Sequence, residues 1–545
     1  ASRFLTDDAH KKPPGALVRA FERAFNRTLA AYTRTLDAAL RHRNAVLVVA
    51  LLTFVATAVL FVTIPKGFFP EDDIGQIFVN TEAAEDTSFP EMVRLQDRVA
   101  TLLREAPSVY TVSSFNGGGS GAQNTGRLFI NLKPRDERPP MKQVIEGLRS
   151  KLRQVAGINV FMQPIQNLRL GGRLSKARYQ FILQSVKAEA LNDWAVKLQE
   201  KLRADAIFRD VTSDSQLRGL QASLKIDRDR ANTLGVSIDA VRSALFSAFG
   251  ERQVSTIYTP VDSYQVIMEV APDAKEDESA FNGIYVRSTS GALVPLSSFA
   301  SVERTVGPTS INHAGQLQAV TVSFNLAPGV ALGDATTKLE HYRDELRMPS
   351  SIITSYGGDA AVFKSSQGSQ AVLIVSALLV IYVLLGVLYE SYIHPLTILA
   401  GLPSAAVGAL LMLRIFNLDL TLIAMIGILL LIGIVKKNAI MMIDFALDAQ
   451  RNQGMDPAHA IREACVLRFR PIMMTTLAAL MGALPIALGL GAGAELRQPL
   501  GLAVVGGLLF SQAITLYITP VIYLALDRFS GKGPVTTPGG VAATR

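Results

Sequence analysis

Apolar residues in this chain are concentrated in long stretches separated by polar segments. The first stretch covers 44–64, and five more follow after a long polar gap. The later stretches are 371–389, 395–413, 420–446, 471–494 and 499–526. A helix needs roughly 20 apolar residues to cross about 30 Å of hydrocarbon. The pattern therefore predicts six membrane-spanning helices, one before the gap and five after it.

The polar gap, residues 65–370, alternates between strand-like and helical periodicity. Its first part, 65–177, has β-α-β-β-α-β order, and a second such pattern begins in 178–226 and resumes in 316–360. Residues 227–315 interrupt the second pattern as an insertion. The predicted fold class is a membrane α-helical bundle of six spans plus an α+β domain of two split-βαβ units.

The segment before the first span, 1–43, has an amphipathic pattern. Its apolar residues recur every three or four positions, with arginines between them: Leu17, Phe21, Phe25, Leu29, Tyr32, Leu36 and Leu40. This spacing predicts a helix with one apolar face. We expect that face to lie in the inner headgroup region with its arginines on anionic lipid. The alternative is a soluble helix packed on a partner.

Composition and charge narrow the class of protein. Of the 545 residues, 49% are hydrophobic and 18% charged, which is typical of a mixed membrane and aqueous protein. The 54 Lys+Arg exceed the 46 Asp+Glu, but they cluster beside apolar stretches, which indicates membrane orientation and not nucleic-acid binding. Short basic flanks favour the cytoplasm. Both termini, including the tail 527–545, are therefore predicted inside, and 65–370 outside.

The cysteine and histidine content limits the chemistry. The single cysteine, Cys465, excludes an intramolecular disulfide, and no Cys/His spacing resembles a structural zinc site. We therefore expect no disulfide within the chain and no bound metal.

Two lysines and an asparagine interrupt the fourth apolar stretch. A lysine within a span costs roughly 2.5–3.5 kcal/mol on insertion scales and needs a partner. Successive helical residues point about 100° apart, so Lys436 and Lys437 are not expected to share one. Apolar residues follow Lys437, so we expect it to be functional, whereas Lys436 is expected to snorkel. Asn438 and Asp444 are secondary candidates; Asp444 lies about 10 Å along the axis from Lys437.

A glycine-rich loop joins two predicted strands at 116–126. Glycines permit positive φ and easy rearrangement, so one interpretation is a mobile flap beside a substrate path. The other is a plain hairpin loop. No Gly-Lys-Ser/Thr motif follows, which argues against phosphate binding. The candidate residues of this path are Asn116, Gly117, Gly118, Gly119 and Gly121.

Four motifs carry a resemblance to a known family. They are PKGFFPEDDIGQI at 65–77, LYESYIHP at 388–395, GIVKKNAIMMIDFA at 433–446 and LRFRPIMMTT at 467–476. With them the chain resembles, essentially end to end, the C-terminal half of the inner-membrane pump of resistance-nodulation-division (RND) exporters. It looks most similar to the MdtB/MdtC type of multidrug subunit, through GIVKKNAIMMIDFALDAQRN and ELRQPLG.

The resemblance implies a trimeric proton antiporter of the bacterial inner membrane that works with a periplasmic adaptor and an outer-membrane channel. Protons are the coupling ion, and no cofactor is implied. The lysine that exchanges salt bridges between two membrane aspartates falls on Lys437, and Arg468 and Thr475 extend the relay. The drug-pocket phenylalanine falls on Phe129, the glycine-rich loop takes the switch-loop position, and 227–315 would be half of a docking subdomain.

The sequence departs from this family in two ways. The loop has no phenylalanine between Gly117 and Gly121, which argues against aromatic gripping of drugs by the loop. No Asp-Asp pair occurs inside a predicted span. The pair Asp72 and Asp73 lies outside the membrane, just after the first predicted span. We therefore expect a partner, the N-terminal half of the pump, to carry the aspartates.

Three other functions remain open at this stage. One is a metal-exporting relative, although the outer-domain methionines Met92, Met141, Met162 and Met268 are scattered and have no nearby His or Cys cluster. The second is a non-transporting subunit of a heterotrimer. The third is a protein-translocation auxiliary, against which the Lys-Asn-Ala-Ile and Arg-Pro motifs argue.

Overall fold

A computed structural model describes residues 16–117, 122–168, 175–271, 274, 278–491 and 493–527. The chain begins with the amphipathic helix α1 (Ala16–Arg41), which continues into the apolar helix α2 (Arg43–Thr63). Tyr32 and Leu36 of α1 are buried, and Tyr32 stacks on Phe469 with ring centroids 4.5 Å apart. The apolar face of α1 was predicted to lie against lipid headgroups, but in its C-terminal half this face is covered by protein. In the N-terminal half Phe21 is 57% exposed.

The first α/β unit follows α2. Its elements are β1 (Gln76–Ala83), α3 (Phe89–Arg104), β2 (Val109–Asn116), β3 (Thr125–Leu132), α4 (Met141–Leu152) and β4 (Ile158–Pro164). The strands form an antiparallel sheet in the order β2-β3-β1-β4. Residues alternate strictly along β3, so Leu128 and Ile130 are buried in a core with α3 and α4, and Phe129 faces the opposite side.

The second α/β unit is interrupted by an insertion. It begins with β5 (Tyr179–Ser185), α5 (Ala188–Arg203) and β6 (Phe208–Ser213). The insertion holds β7 (Gly219–Ile226), α6 (Arg228–Thr233), α7 (Ile238–Phe249), β8 (Arg252–Tyr258), β9 (Ser263–Met268), β10 (Tyr285–Arg287), β11 (Leu293–Pro295) and β12 (Ala300–Gly307). Because β7 pairs with β12 along its whole length, the insertion begins at Gly219 and not at the predicted 227.

The chain then returns to the second unit through β13 (His313–Ala314), β14 (Leu317–Leu326), α8 (Leu332–Glu345) and β15 (Ile353–Gly357). The sheet has the order β13-β14-β5-β15. The strand β6 also belongs to this sheet and pairs with the C-terminal half of β14, from Val322 to Leu326. Its apolar face packs on α5 and α8.

Six helices complete the described chain: α9 (Gly358–Tyr389), α10 (His394–Leu399), α11 (Leu402–Ile415), α12 (Leu422–Gln453), α13 (Pro457–Leu488) and α14 (Ala494–Asp527). With α10 and α11 taken as one, and with α2, these make six candidate membrane spans within the described residues. The helices extend beyond the predicted apolar stretches, because apolarity marks only the part suited to hydrocarbon. The predicted stretch 395–413 is divided between α10 and α11. The predicted stretch 471–494 continues beyond the end of α13, because the helix ends where Gly489 adopts φ +66°.

The helices differ in how far the protein covers them. In their most apolar windows, 67% of α14 is buried but none of α2, so α14 lies at the centre of the bundle and α2 at its edge. One close helix contact joins α11 to α14. A Cβ added to Gly408 would lie 2.4 Å from the Gly506 carbonyl oxygen, so only glycine allows this approach.

The two ends of the bundle are distinguished by their connections. At one end the Leu420 amide donates to the Pro65 carbonyl at 2.8 Å, and α9 continues directly from β15. Arg178 at the start of β5 holds Asp359 of α9 at 2.7 Å and Glu71 at 3.0 Å. This end therefore carries the α/β units, and the last residues of α9, α12 and α14 lie at the opposite end.

Candidate functional site

One face of α12 is left uncovered by the rest of the chain. Its exposed positions recur at intervals of three, four or seven residues: Ile426, Leu430, Gly433, Lys437, Asp444 and Asp448. This is the spacing of a single helical face. Lys437 and Asp444 therefore lie on the same open face of a helix that is otherwise packed against α13 and α14.

Lys437 has no carboxylate within ion-pair distance among the residues that the structure describes, and Lys436 is only half-buried. A charged side chain is costly when it faces lipid, and in membrane proteins such residues face a bundle interior, a water-filled cavity or a charged partner. The exposed charges on α12 therefore mark a surface made for protein or water, in contrast to α2, whose exposed residues between Ala45 and Val62 are all apolar.

Beside Lys437, a polar triangle joins three helices. The Asn438 amide nitrogen donates to Thr476 Oγ1 at 3.2 Å and to Gln512 Oε1 at 3.3 Å. Thr476 in turn donates to Gln512 at 2.8 Å. Asn438 is on α12, Thr476 on α13 and Gln512 on α14, so the triangle fixes the rotation of α12 at the position where it presents Lys437.

Sequence reasoning missed two of these three residues. The resemblance points to Thr475 and not to its neighbour Thr476; Thr475 is an exposed residue whose hydroxyl donates to the Ile472 carbonyl of its own helix at 3.1 Å. For Gln512 the sequence does carry a signal, because an amide within the apolar stretch 499–526 is the kind of residue that marks a functional position in a span.

Arg468 lies nearer the end of α13 that is remote from the α/β units. Its guanidinium carbon is 5.3 Å from the Phe445 ring centroid, a cation–π contact with α12. Its Nε is buried and has no hydrogen-bond partner among the described side chains and backbone. The structure thus brings Arg468 to the helix that carries Lys437, but the two cations are not joined by a shared partner within the described chain.

Outside the membrane helices, Phe129 lies on the open face of the first sheet. Its ring centroid is 5.2 Å from Phe78 and 6.0 Å from Phe115, and Phe129 is 37% exposed. Cross-strand pairing of β1 with β3 and of β3 with β2 aligns the three rings. The result is a short aromatic strip that a flat or amphiphilic molecule can contact.

The glycine-rich loop begins at the end of this strip. Asn116 is the last residue of β2. The next residue, Gly117, has φ +62°, and a Cβ added to it would lie 3.2 Å from the Phe89 ring. Both features require glycine at 117. Gly118, Gly119 and Gly121 lie outside the described residues.

A cleft of about 760 Å³ separates the first α/β unit from the second. Arg149 of α4 and Asp210 of β6 meet across it at 2.6 Å, and Glu82 is held by Lys176 at 2.5 Å. Charged and amide side chains line the cleft together with nearly as many apolar ones, Phe161 and Val160 among them. The cleft suits a molecule with both polar and apolar parts.

The segment between α2 and the first unit is fixed by a buried ion pair. Arg138 donates to both Asp73 oxygens, at 3.0 and 2.5 Å, and the Met141 amide at the start of α4 donates to the same carboxylate at 3.1 Å. Burial by itself raises the pKa of Asp73, but the hydrogen bonds from Arg138 and Met141 outweigh it, so the pKa lies below its usual value. Asp73 is therefore an anchor and not a proton acceptor.

The four outer-domain methionines do not line one common surface. Met92, Met141 and Met162 are buried in the same apolar core of the first unit, where they pack on leucine, valine and isoleucine. Met268 is 45% exposed on the β8–β9 hairpin. In the described part of the chain, no group of three or more His, Cys, Asp or Glu residues could hold a metal ion.

Comparison with known proteins places this geometry in context. The sequence model of the AcrB/AcrD/AcrF family matches residues 1–527. Two crystal forms of a heavy metal efflux pump match with TM-scores of 0.81 and 0.80 at 23% identity, over 93% of this chain. That identity shows a shared fold alone. The match covers 53% and 52% of the two pump chains, so this chain spans about half their length.

Proposed function

The chain belongs to the AcrB/AcrD/AcrF family of RND efflux transporters, and we propose that it supplies half of a drug/proton antiporter. Proton-motive force would drive amphiphilic compounds out of the periplasm or the membrane. We place the chain in the bacterial inner membrane, with both termini in the cytoplasm and 65–370 in the periplasm. The single observation that carries the proposal is the open face of α12 with Lys437 at its centre.

An uncovered lysine in the middle of a span requires a partner, and the described residues place no carboxylate within ion-pair distance of it. A second bundle with two carboxylates would cover the face, which agrees with a chain about half the length of the solved pumps. We therefore assign the partner role to an N-terminal half that carries an Asp-Asp pair. Lys437 would be the mobile cation, and Arg468 and Thr475 would carry the relay further.

The coupling follows from competition for the carboxylates. A lysine ammonium between two carboxylates stabilises their charged form, and a proton that binds one of them weakens the salt bridge and releases the lysine. One charge that crosses 100 mV supplies roughly 2.3 kcal/mol. Because the polar triangle of Asn438, Thr476 and Gln512 ties α12 to α13 and α14, movement at Lys437 would be passed to both helices.

The substrate would move along the α/β units. We assign the substrate path to the aromatic strip around Phe129, to the loop from Asn116 through Gly121, and to the cleft between the units. Amphiphilic compounds fit a path with an aromatic strip and polar walls. As in RND pumps generally, export would require a trimer, a periplasmic adaptor and an outer-membrane channel.

A metal-exporting function is the second candidate, since the matched solved pumps are described as heavy metal efflux pumps. A thioether relay for soft metal ions needs methionines that face a path. Met92, Met141 and Met162 instead fill a core, which favours organic substrates. A non-transporting role within a heterotrimer is the third candidate.

The test is Lys437→Ala in the complete pump, with Lys436→Ala as the matched control on the same helix. We expect Lys437→Ala to abolish proton-coupled efflux from proteoliposomes while the assembled size and the amount of protein stay unchanged. Lys436→Ala should retain efflux. Wild-type efflux by the Lys437 variant would overturn the relay, and if only the partner's relay residues matter, the chain is the non-transporting subunit.

A further inference from the structure

Three buried polar groups meet at the end of the bundle remote from the α/β units. Tyr389 ends α9, His394 begins α10, and Tyr523 lies in the last turns of α14; they are 5%, 3% and 1% exposed. The His394 ring stacks on Tyr523 with centroids 6.0 Å apart and meets Tyr389 edge-on at 6.3 Å. One imidazole thus lies between two phenols contributed by different helices.

Each of the three carries a buried polar atom that has no hydrogen-bond partner in the part of the chain that the structure describes. The Tyr389 hydroxyl, the Tyr523 hydroxyl and His394 Nδ1 are each buried and unpartnered among the described residues. Thr519 Oγ1, one helical turn before Tyr523, is in the same condition. A buried polar atom without a partner destabilises the fold, so such groups are normally paired with protein or with internal water.

A second bundle cannot supply the partner. These atoms are enclosed by the helices of this chain itself, unlike Lys437, which lies on its open face. Water is the small molecule that fits, since one molecule both donates and accepts and internal waters usually bridge about three polar groups. Phenol, imidazole and threonine side chains provide both donors and acceptors for it.

Charged residues flank the group on two sides. Asp444, on the same α12 face as Lys437, follows Ile443, which lies in the same buried cluster as Tyr389 and Tyr523. Arg451, in the last turn of α12, donates to the Tyr389 carbonyl at 3.5 Å. Asp527 lies one helical turn after Tyr523 on α14. Charged residues of α12 and α14 therefore lie around the three rings at the remote end of the bundle.

We infer that Tyr389, His394 and Tyr523 hold one or more internal water molecules and form a proton-transfer site by which protons leave the Lys437 region. The inference rests on the proposed proton coupling. Water takes a proton arriving from the side of Asp444 and passes one to His394 Nδ1; the imidazolium then returns that proton to water on the side of Arg451. No bond other than those to protons changes, and each cycle leaves the three side chains as they began.

The first experiment asks whether the site is hydrated, and it does not depend on transport. Tyr523→Phe removes only a hydroxyl. If that hydroxyl binds water, the variant should melt at a lower temperature than the wild type; if the site is dry, it should melt at the same or a higher temperature. A density map of the assembled pump should show water within hydrogen-bond distance of His394 Nδ1. A dry site in both measurements overturns the inference.

The second experiment measures proton release in proteoliposomes from pH 5.5 to 8. His394→Phe keeps a ring but cannot carry a proton, and His394→Gln keeps polarity without titration. Both should slow release by about 10²-fold, the lower end of what a positioned acid–base group contributes, and should remove the part of the pH dependence that comes from protonation of His394. The control is His459→Gln, whose side chain is 83% exposed at the start of α13.

The outcomes separate the two proposals. If Lys437→Ala stops release but both His394 variants keep the wild-type rate and pH profile, the exit site is overturned and the antiporter stands. If the wild type releases no protons, the proposed function fails and the exit route fails with it. If His394→Phe loses activity because the pump no longer assembles, His394→Gln still tests proton release and Tyr523→Phe still tests hydration.

Discussion

Asn438 on α12 donates its side-chain amide to Gln512 on α14 at 3.3 Å, so the residue next to Lys437 is fixed to the most central helix of the bundle. Thr476 of α13 completes the contact. A lysine that must move between partners needs a backbone that is held in a defined rotation. The triangle supplies that rotation from inside the bundle and leaves the lysine side chain free.

Gln512→Leu should weaken both fold and transport. It leaves the Asn438 amide and the Thr476 hydroxyl without their shared acceptor in a partly buried site, at a cost of about 1 kcal/mol. We expect a lower melting temperature and slower efflux at each pH. Phe510→Leu, two residues earlier and 37% exposed, is the control. Unchanged efflux and melting in Gln512→Leu would contradict a positioning role.

Adjacent threonines on α13 should respond differently to the same substitution. Thr476→Val breaks the triangle, so the melting temperature should fall by an amount corresponding to about 1 kcal/mol or more. Thr475→Val removes an exposed hydroxyl bonded to its own helix, so stability should hold while proton-coupled efflux falls. Thermal melting and efflux measured on both variants test this. If Thr475→Val transports normally, Thr475 is not part of the relay.

Asp73→Asn should destabilise the protein in a pH-dependent way. The Asp73 and Arg138 side chains are 9% and 2% exposed, and breaking such a buried pair costs about 3–5 kcal/mol. Because the folded pKa of Asp73 is depressed, its contribution is present above the unfolded pKa of about 3.9 and is lost as pH falls through the folded pKa. The stability gap between wild type and variant should therefore close in acid.

Denaturant unfolding between pH 3 and 8 measures that gap. Asp86→Asn, at an exposed position of the same unit, should behave as the wild type throughout. A gap that stays constant into acid would show that Asp73 contributes through packing and not through its charge.

Phe129→Ala should alter substrate handling more than stability. Phe129 is 37% exposed on the aromatic strip, whereas its cross-strand neighbour Phe78 is 2% exposed. We expect Phe129→Ala to raise the apparent KM for aromatic substrates with little change in melting temperature. Phe78→Ala should instead destabilise the unit by about 3–5 kcal/mol, as buried phenylalanine truncations do. Equal KM values for wild type and Phe129→Ala would remove this residue from the substrate path.

The sequence by itself indicated the six candidate membrane spans and the strands and helices of the α/β units between the first two spans. Apolar stretches and strand alternation are local signals, because burial in hydrocarbon or in a sheet core acts on every residue of an element. The same reasoning indicated Lys437, since a charge within an apolar stretch is visible without any contact. The sequence was less informative on where the helices begin and end. The polar first turns of α13, from Pro457, lie outside any apolar stretch.

Only the tertiary structure decided which polar residues act together. Thr476 lies 38 positions and Gln512 lies 74 positions after Asn438 in the sequence. No periodicity links the three residues. The same holds for Tyr389, His394 and Tyr523, whose meeting depends on how α9, α10 and α14 cross. Helix crossing is set by side-chain packing over whole surfaces, and Gly408 against Gly506 is one example. Such contacts arise from the sum of many weak interactions, which the order of residues along the chain does not display.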